Sequence, residues 1–424
     1  MDTRQYDVVV VGGGAGGVSA AVGAAQSGAR VALVEKYGFL GGAATNSSVL
    51  AYCGFYTQAG EQVVKGVGQQ FLDILETEKV FRAEKQEYSG NTIVLLDRET
   101  TKRSLDVLVA EAGVDLYLHT HFAEALADNN EVREPLTLQS IKVQHRGGLM
   151  ELRAKAFVDA SGDALLGHAA QADLLVSPPS ERQGSTLVMH IGGVSAEQAL
   201  PDGEDMDQAL QKHAIEHGVS IPRSNAVCVR SPLTKELMIL LADQHMDALD
   251  VDALTQAERE GRKAAFQIFR AFQGHLPGWE QSYLSHTGPQ IGIRETRRIA
   301  GQGTVRADHV FEGYANNETA IAKCGWPIED HSKPGETTYS SIGNGGWYHI
   351  IHSALQSRSH RNLWAAGRTI SSDPKAYASV RVMGTGFATG HAAGVSAALQ
   401  AASPEGCANT QDVRRELLRQ GADL

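Results

Sequence analysis

The strongest constraint on this chain lies near its start. Residues 6–11, Tyr-Asp-Val-Val-Val-Val, form an apolar run broken only at Asp7, and Gly12-Gly13-Gly14-Ala15-Gly16-Gly17 follows at once. A run of this kind, without polar alternation, is the pattern of a strand buried on both faces of a parallel sheet. Small residues at 18–27 predict a helix, Gly28 a turn, and residues 30–34 a second buried strand. The whole is one βαβ unit, and Gly12, Gly14 and Gly17 satisfy G-x-G-x-x-G where strand passes into helix. Gly12 permits the tight turn, Gly14 lets a pyrophosphate approach the backbone, and Gly17 lets the helix lie close to the strand. Ala15 and Gly16 open that helix, whose first N–H groups and positive dipole end favour phosphate. Glu35 closes the second strand, 18 residues beyond Gly17. A carboxylate there accepts hydrogen bonds from ribose hydroxyls and disfavours a 2′-phosphate.

The rest of the chain extends this plan. Helices are predicted over residues 64–77 and 102–112, a third parallel strand over 114–118, an antiparallel meander over 122–153, and a strand over 156–159. Between about 170 and 340 the sequence is more polar, with its clearest helix at 254–272. The early style then returns: a short apolar strand at 362–366 ends at Gly367, and Met383-Gly384-Thr385-Gly386 precedes a small-residue helix at 387–400. A charged surface helix is expected at 411–420. Such a return implies a discontinuous domain with an insertion. The expected division is 1–168 and 341–424 as the two parts of a nucleotide-binding domain, with 169–340 inserted as a substrate domain.

Composition narrows the class. The chain has 424 residues, enough for two or three domains at about 150 residues each. Its net charge of −11 argues against nucleic acid or anionic membrane as partner. Four cysteines (Cys53, Cys228, Cys324, Cys407) include no C-x-x-C pair, which excludes a zinc ribbon or vicinal redox disulfide and fits a reducing compartment. No signal-peptide core and no apolar run of roughly 18 residues is present. The expectation is a cytoplasmic protein without a membrane partner. Glycine, at 45 residues, exceeds the average of roughly 7% and clusters at 12–17, 38–42, 343–346 and 384–394.

The first motif alone does not separate FAD from NAD, but the C-terminal return does. A second glycine-rich helix start after Trp364-Ala365-Ala366-Gly367-Arg368 suits the N1–C2=O edge of an isoalloxazine ring, which turns negative on reduction. These stretches resemble the FAD-dependent oxidoreductases related to the fumarate reductase and succinate dehydrogenase flavoproteins. The matching segments are Val9-Val10-Val11-Gly12-Gly13-Gly14, Glu35-Lys36-Tyr37-Gly38-Phe39-Leu40-Gly41-Gly42 and Val158-Asp159-Ala160-Ser161-Gly162-Asp163. They continue at Pro289-Gln290-Ile291-Gly292-Ile293-Arg294-Glu295-Thr296, Asn362-Leu363-Trp364-Ala365-Ala366-Gly367-Arg368 and Ala378-Ser379-Val380-Arg381-Val382-Met383.

The resemblance implies an α/β fold: a two-part Rossmann-like FAD-binding domain, a parallel sheet with an antiparallel meander, holding an inserted α+β substrate domain. It places Lys36, Gly41 and Gly42 beside the cofactor, Ala160, Gly162 and Asp163 near its adenosine half, and Gly367, Arg368, Gly384, Thr385 and Gly386 near the flavin. No histidine follows Gly41-Gly42 where covalent attachment would be expected, so the FAD is expected to be non-covalent. Where relatives often carry a Tyr–acid–Ile-Pro-Tyr-Arg stretch, this chain has Tyr348-His349-Ile350-Ile351-His352-Ser353; Pro374 stands for a usual His and Gly384 for a usual Pro. The family's substrate therefore does not carry over.

Flavin redox chemistry needs a C–H aimed at N5, a proton acceptor and groups that orient the substrate. His349 and His352 are the candidates for proton transfer, because imidazole titrates near neutral pH; the plain alternative is a structural, hydrogen-bonded histidine. Arg294 and Arg381 suit a carboxylate or reduced flavin, with structural salt bridges, such as Arg294 to Asp163, as the alternative. Tyr377 is a further candidate, or a packed aromatic. Gly343-Asn344-Gly345-Gly346 is expected to border the substrate. His213-Ala214-Ile215-Glu216-His217 satisfies the H-x-x-E-H zinc motif, yet Gly218 marks it as a helix end and no third ligand stands out, so no metal is expected. His119 and His121 are left unassigned.

No second G-x-G-x-x-G follows a strand, so no dedicated NAD(P)H domain is expected. The resulting expectation is a dehydrogenase or oxidase passing a hydride from a small polar or anionic substrate to flavin N5, with oxygen or an external acceptor reoxidising it. The rival readings are a flavin monooxygenase and a non-redox flavin lyase or hydratase. A homo-oligomer is compatible with the sequence.

Overall fold

A computed structural model of the chain describes residues 2–86, 89–127, 135–195, 201–219 and 227–424. Its centre is a five-stranded sheet in the order Leu363–Ala365, Ala156–Asp159, Val8–Val11, Val31–Val34, Asp115–Tyr117, with every pairing parallel. Each residue of Val8–Val11 is buried, as expected of a strand covered on both faces. Strands from both ends of the sequence thus share one sheet. Their carboxyl ends, at Gly12, Glu35, Ala160 and Ala366, form one edge, where an open parallel sheet binds its ligand.

Two small-residue helices, Ala15–Gln26 and Met383–Ala402, cover one side of this edge. They lie so close that a Cβ on Gly390 would run into the Gly16 carbonyl and one on Gly394 into that of Ala20. Ser19 Oγ donates to the Phe387 carbonyl at 2.6 Å, tying the two together. The later helix begins four residues before the expected start, because Gly384 and Gly386 belong to its first turn rather than to a loop. There the helix presses on the Cys53–Gly54 backbone, which a side chain on Gly384 would meet at 2.5 Å.

The meander comprises His121–Ala127, Leu138–His145 and Gly148–Arg153, and the N-terminal strand Asp2–Gln5 adds to it in parallel. Residues 128–134 of the expected meander lie outside the described residues.

A second sheet, antiparallel throughout, runs Val227–Arg230, Leu237–Gln244, Ser185–Gly192, Tyr283–Thr287. Period-two alternation gives it two different faces. Leu187, Met189, Ile191 and Ile239 pack with Ile268, Phe272 and Trp279 beneath the helix Val251–His275, forming a core of their own. Val188 and Met238, on the opposite face, belong to the main core, and Thr186 and Leu240 on that face wall the cavity at the parallel sheet's edge. Short strands Ala320–Cys324 and Tyr348–Ile351 pair with each other across residue 340.

Among the described residues no helix is long and apolar enough to cross a membrane.

Candidate functional site: a dinucleotide cradle and its polar end

One long cavity runs from the Gly12 turn to the face of the antiparallel sheet. At its first end Gly12 has φ +102°, and a Cβ there would lie 2.5 Å from the Ala160 carbonyl. Gly42, at φ +56°, similarly comes within 2.8 Å of Gly14 Cα when given a Cβ. Only glycine satisfies both the conformation and the approach. Glu35 is buried and accepts from Gly13 N at 2.6 Å and Tyr37 N at 2.9 Å. Burial pushes its pKa up, against the pull of those two N–H donors. Each carboxylate oxygen keeps a further lone pair for a ribose hydroxyl. Lys36 lines the same end, its ammonium 5.1 Å from the Tyr37 ring centre.

The helix Ala15–Gln26 begins at Gly14 with no side-chain cap, and Met383–Ala402 begins at Val382 likewise. Gly14, Ala15, Gly16, Val382, Met383 and Gly386 all line the cavity, so both positive helix ends border it. Between them the loop 160–163 is held by Asp159, whose buried carboxylate accepts from Ser161 N at 3.0 Å and Gly167 N at 2.9 Å. Asp163 accepts from Thr296 Oγ1 at 2.9 Å and pairs with Arg368 at 3.5 Å. Arg368 also donates to the Ile293 carbonyl, joining this loop to the segment carrying Arg294.

The opposite end is polar and charged. Arg294 donates to the Gly184 carbonyl at 2.5 Å and to Thr186 Oγ1 at 2.8 Å, and Asp163 has its ion pair with Arg368. Arg381 donates to the Glu329 carbonyl at 3.1 Å and lies 3.7 Å from its carboxylate. Its buried Nε has no hydrogen-bond partner. Glu329 Oε1 also meets His331 Nε2 at 3.2 Å.

Most of the expected cofactor residues line the cavity: Gly12, Gly14, Ala15, Gly16, Glu35, Lys36, Gly41, Gly42, Ala160, Gly162, Asp163, Gly367, Arg368 and Gly386. Gly17 and Gly384 lie behind its wall, each against backbone. Thr385 bonds inward to Cys324 Sγ at 3.3 Å. Among the catalytic candidates, Arg294 and Arg381 reach the cavity, whereas His349, His352 and Tyr377 do not.

His352 is held between Thr410 Oγ1 at 2.9 Å and Ser396 Oγ at 3.0 Å, with its ring stacked on Trp364. His349 Nδ1 accepts from Asn316 N at 2.9 Å, and the ring packs on Trp347. Burial pushes both pKa values down to about 4. Both rings are packed against a tryptophan, and His349 Nε2 is buried without a hydrogen-bond partner. Tyr377 donates to the Arg294 carbonyl at 2.7 Å from beneath the guanidinium of Arg298, and so supports the wall from behind. The 343–346 glycine cluster lies instead against Phe311 and Glu312, as a tight turn in which Asn344 donates to the Glu312 carbonyl at 2.6 Å. His213 and His217 stack 4.2 Å apart, and Glu216 faces His275 at 3.2 Å.

Sequence reasoning missed Glu329 and His331. The available signal was alternation: an acid and an imidazole two residues apart at the strand Ile328–Asp330, projecting to one side.

A parallel sheet edge, a carboxylate at the second strand, and two uncapped helix starts on one cavity define a dinucleotide-binding protein whose second half returns to the site. The chain belongs to the FAD dependent oxidoreductase family, whose profile matches residues 7–421. It is accordingly an enzyme with FAD as cofactor, and the glycine cradle and open helix ends fit that molecule's pyrophosphate. A digeranylgeranylglycerophospholipid reductase of Thermoplasma acidophilum is 26% identical over 172 residues, 38% of this chain and 40% of that protein. The match therefore spans about two fifths of this curated relative.

Among solved structures, a geranylgeranyl bacteriochlorophyll reductase-like protein of Thermoplasma acidophilum has a TM-score of 0.49 at 14% identity, covering 99% of this chain and 85% of that one. BexE, studied for oxidation during BE-7585A biosynthesis, has a TM-score of 0.50 at 12% identity, covering 98% and 66%. Likeness at such identity speaks to fold alone.

Proposed function

We propose that the protein is a dehydrogenase or oxidase acting on a small polar or anionic organic substrate bound at the cavity end walled by Arg294, Arg381, Glu329 and His331. The observation that carries this reading is the cationic wall opening onto the nucleotide cradle in a chain whose net charge is −11. When bound, FAD supplies a two-electron acceptor at its N5. Residues Gly12, Gly14 and Gly16 with the first helix start hold its pyrophosphate, Glu35 its ribose, and Gly367, Arg368 and the start of Met383–Ala402 the flavin end. Arg294 and Arg381 orient the substrate, a role that planar guanidinium suits.

The cofactor is proposed to be non-covalent, with oxygen or an external carrier as acceptor and the cytoplasm as location. Kinship with the fumarate reductase and succinate dehydrogenase flavoproteins rests on the motifs quoted above. Residues 1–168 and 341–424 are proposed as the FAD-binding domain and 169–340 as the substrate domain.

Anaerobic stopped-flow absorbance tests the reading. Bleaching of FAD by an organic substrate, without NAD(P)H, is the expected result. Bleaching by NAD(P)H alone, followed by a hydroxylated product once oxygen is admitted, would establish a monooxygenase and overturn it. Turnover with no acceptor consumed would establish a lyase or hydratase.

A further inference from the structure

The two arginines of the polar end stand on segments far apart in the chain, yet one dipeptide, Gln183-Gly184, reaches both. Arg294 donates to the Gly184 carbonyl at 2.5 Å, and Gly184 N donates to the His331 carbonyl at 3.0 Å. The Gln183 side chain accepts from His331 N at 2.7 Å and donates to Asp330 Oδ1 at 3.0 Å. Two residues before His331, the Glu329 carbonyl accepts from Arg381 at 3.1 Å. A path of hydrogen bonds and backbone thus runs from one guanidinium to the other. The dipeptide is fixed from behind. Gln183 N donates to Glu295 Oε2 at 3.0 Å, while Glu295 Oε1 accepts from Ser177 Oγ at 2.6 Å and from Arg298 at 2.5 Å. Gln183, Glu295 and Arg298 are each at most 5% exposed. Neither Gln183 nor Gly184 lines the cavity, so these bonds serve the wall and not a ligand.

Resting on the function proposed above, we propose that Gln183 is a positioning residue: by tying the 329–331 segment to Gly184, it sets the separation of Arg294 and Arg381, and with it the fit of the substrate's anionic group. Guanidinium groups hold a carboxylate through directed, charge-assisted hydrogen bonds, so affinity depends on where each fork points. Two forks carried on separate segments keep their aim only while those segments keep their spacing. Removing the Gln183 amide leaves the buried His331 N–H without its acceptor and Asp330 without that donor. An N–H left unpaired in the interior is unfavourable, so the 329–331 segment shifts to satisfy it, and Arg381, bonded to the Glu329 carbonyl, shifts too. The Gly13 and Tyr37 N–H groups that fix Glu35 at the other end of the cavity take no part in this path. Gln183 therefore bears on the anion and not on the hold over the nucleotide.

The test uses the FAD-loaded enzyme and three carboxylate probes, propionate, succinate and benzoate, with binding read from the shift of the flavin absorbance band and from calorimetry. At least one probe is expected to bind the wild type, and Arg294→Met to weaken that binding by about tenfold or more. Gln183→Met keeps the length of the side chain and none of its hydrogen bonds. It should weaken the same binding by about tenfold while FAD affinity stays within about threefold. The two losses should not add: in the Arg294→Met background no separation is left to set, and Gln183→Met should change anion affinity by no more than about threefold. If Gln183→Met does not accumulate as folded protein, Asp330→Ala removes one of the same bonds from the half-buried side and should weaken the anion by about threefold. Wild-type anion affinity in the variant measured, additive losses, or an equal fall in FAD affinity overturns the proposal and leaves the dehydrogenase reading standing. Failure of the wild type to bind any of the three probes, or undiminished binding by Arg294→Met, overturns both.

Discussion

At the scale of single residues, two buried side chains illustrate opposite uses of burial. Glu35 spends two hydrogen bonds on Gly13 and Tyr37, and so fixes both the glycine turn and its own carboxylate. Glu35→Ala removes an acceptor from the ribose and leaves two N–H groups unsatisfied. Hydrogen bonds to charged groups contribute about 1.5–3 kcal/mol, so FAD affinity should fall by roughly ten- to 150-fold. Fluorescence titration of the apoprotein with FAD measures it; unchanged affinity would remove Glu35 from the site.

His352 uses burial for packing. Its folded pKa, about 4, lies below the unfolded value near 6.5, so the fold favours the neutral ring. The associated stability is fully present above pH 6.5 and is lost as pH falls toward 4. Thermal midpoints should therefore drop between pH 7 and pH 5, and the drop should be shallower in His352→Asn. An equal slope in the two proteins would show that protonation of this ring is not responsible.

The same pair explains what the residues revealed in advance. Gly12, Gly14 and Glu35 were legible because their chemistry is written in spacing along one βαβ unit. The position of His349 and His352 outside the cavity lining was not legible, because a sequence does not show that Trp347 and Trp364 will pack against them. Glu329 and His331 lay unread because their meaning depends on Arg294 and Arg381 arriving from distant segments.

At the scale of elements, the decisive contact is between helices Ala15–Gln26 and Met383–Ala402. Their axes approach closely enough that Gly390 and Gly394 touch the backbone of the first helix, and this packing aligns both uncapped ends on the cavity. Gly394→Ala places a methyl group against the Ala20 carbonyl, where rigid helix backbone cannot give way. Overpacking of that kind costs about 1–3 kcal/mol. The melting midpoint should fall, and FAD retention through desalting should fall with it. Gly274 is the control: it lies in helix Val251–His275 with nothing within 4 Å of an added Cβ. Gly274→Ala should leave the midpoint unchanged or raise it, since alanine is worth about 0.5–1 kcal/mol over glycine in a helix. Equal effects at the two sites would contradict the close-packing argument. Strand and helix positions were largely legible, from the valine runs and small-residue helices. The start of the later helix was not, because Gly384-Thr385-Gly386 reads locally as a loop, and only the demand for close approach to Cys53 and Gly16 makes it helical.

At the scale of the molecule, the first and last segments of the chain build one parallel sheet, and the antiparallel sheet between them presents one face to its own helices and the other to the cofactor cavity. The return of style near the C-terminus made this arrangement legible. The pairing of faces was not, since alternation in Ser185–Gly192 reveals two faces without revealing their partners.

One cavity is proposed to hold FAD along its length, with the reactive ring at the charged end. Diffraction from crystals of the FAD complex tests it most directly. The expected result is the pyrophosphate at the start of Ala15–Gln26, the flavin's N1–C2=O edge at Val382 and Met383, and Arg294, Arg381 and His331 facing the ring. A ring directed toward His349 and His352, or a pyrophosphate away from Gly14, would contradict it.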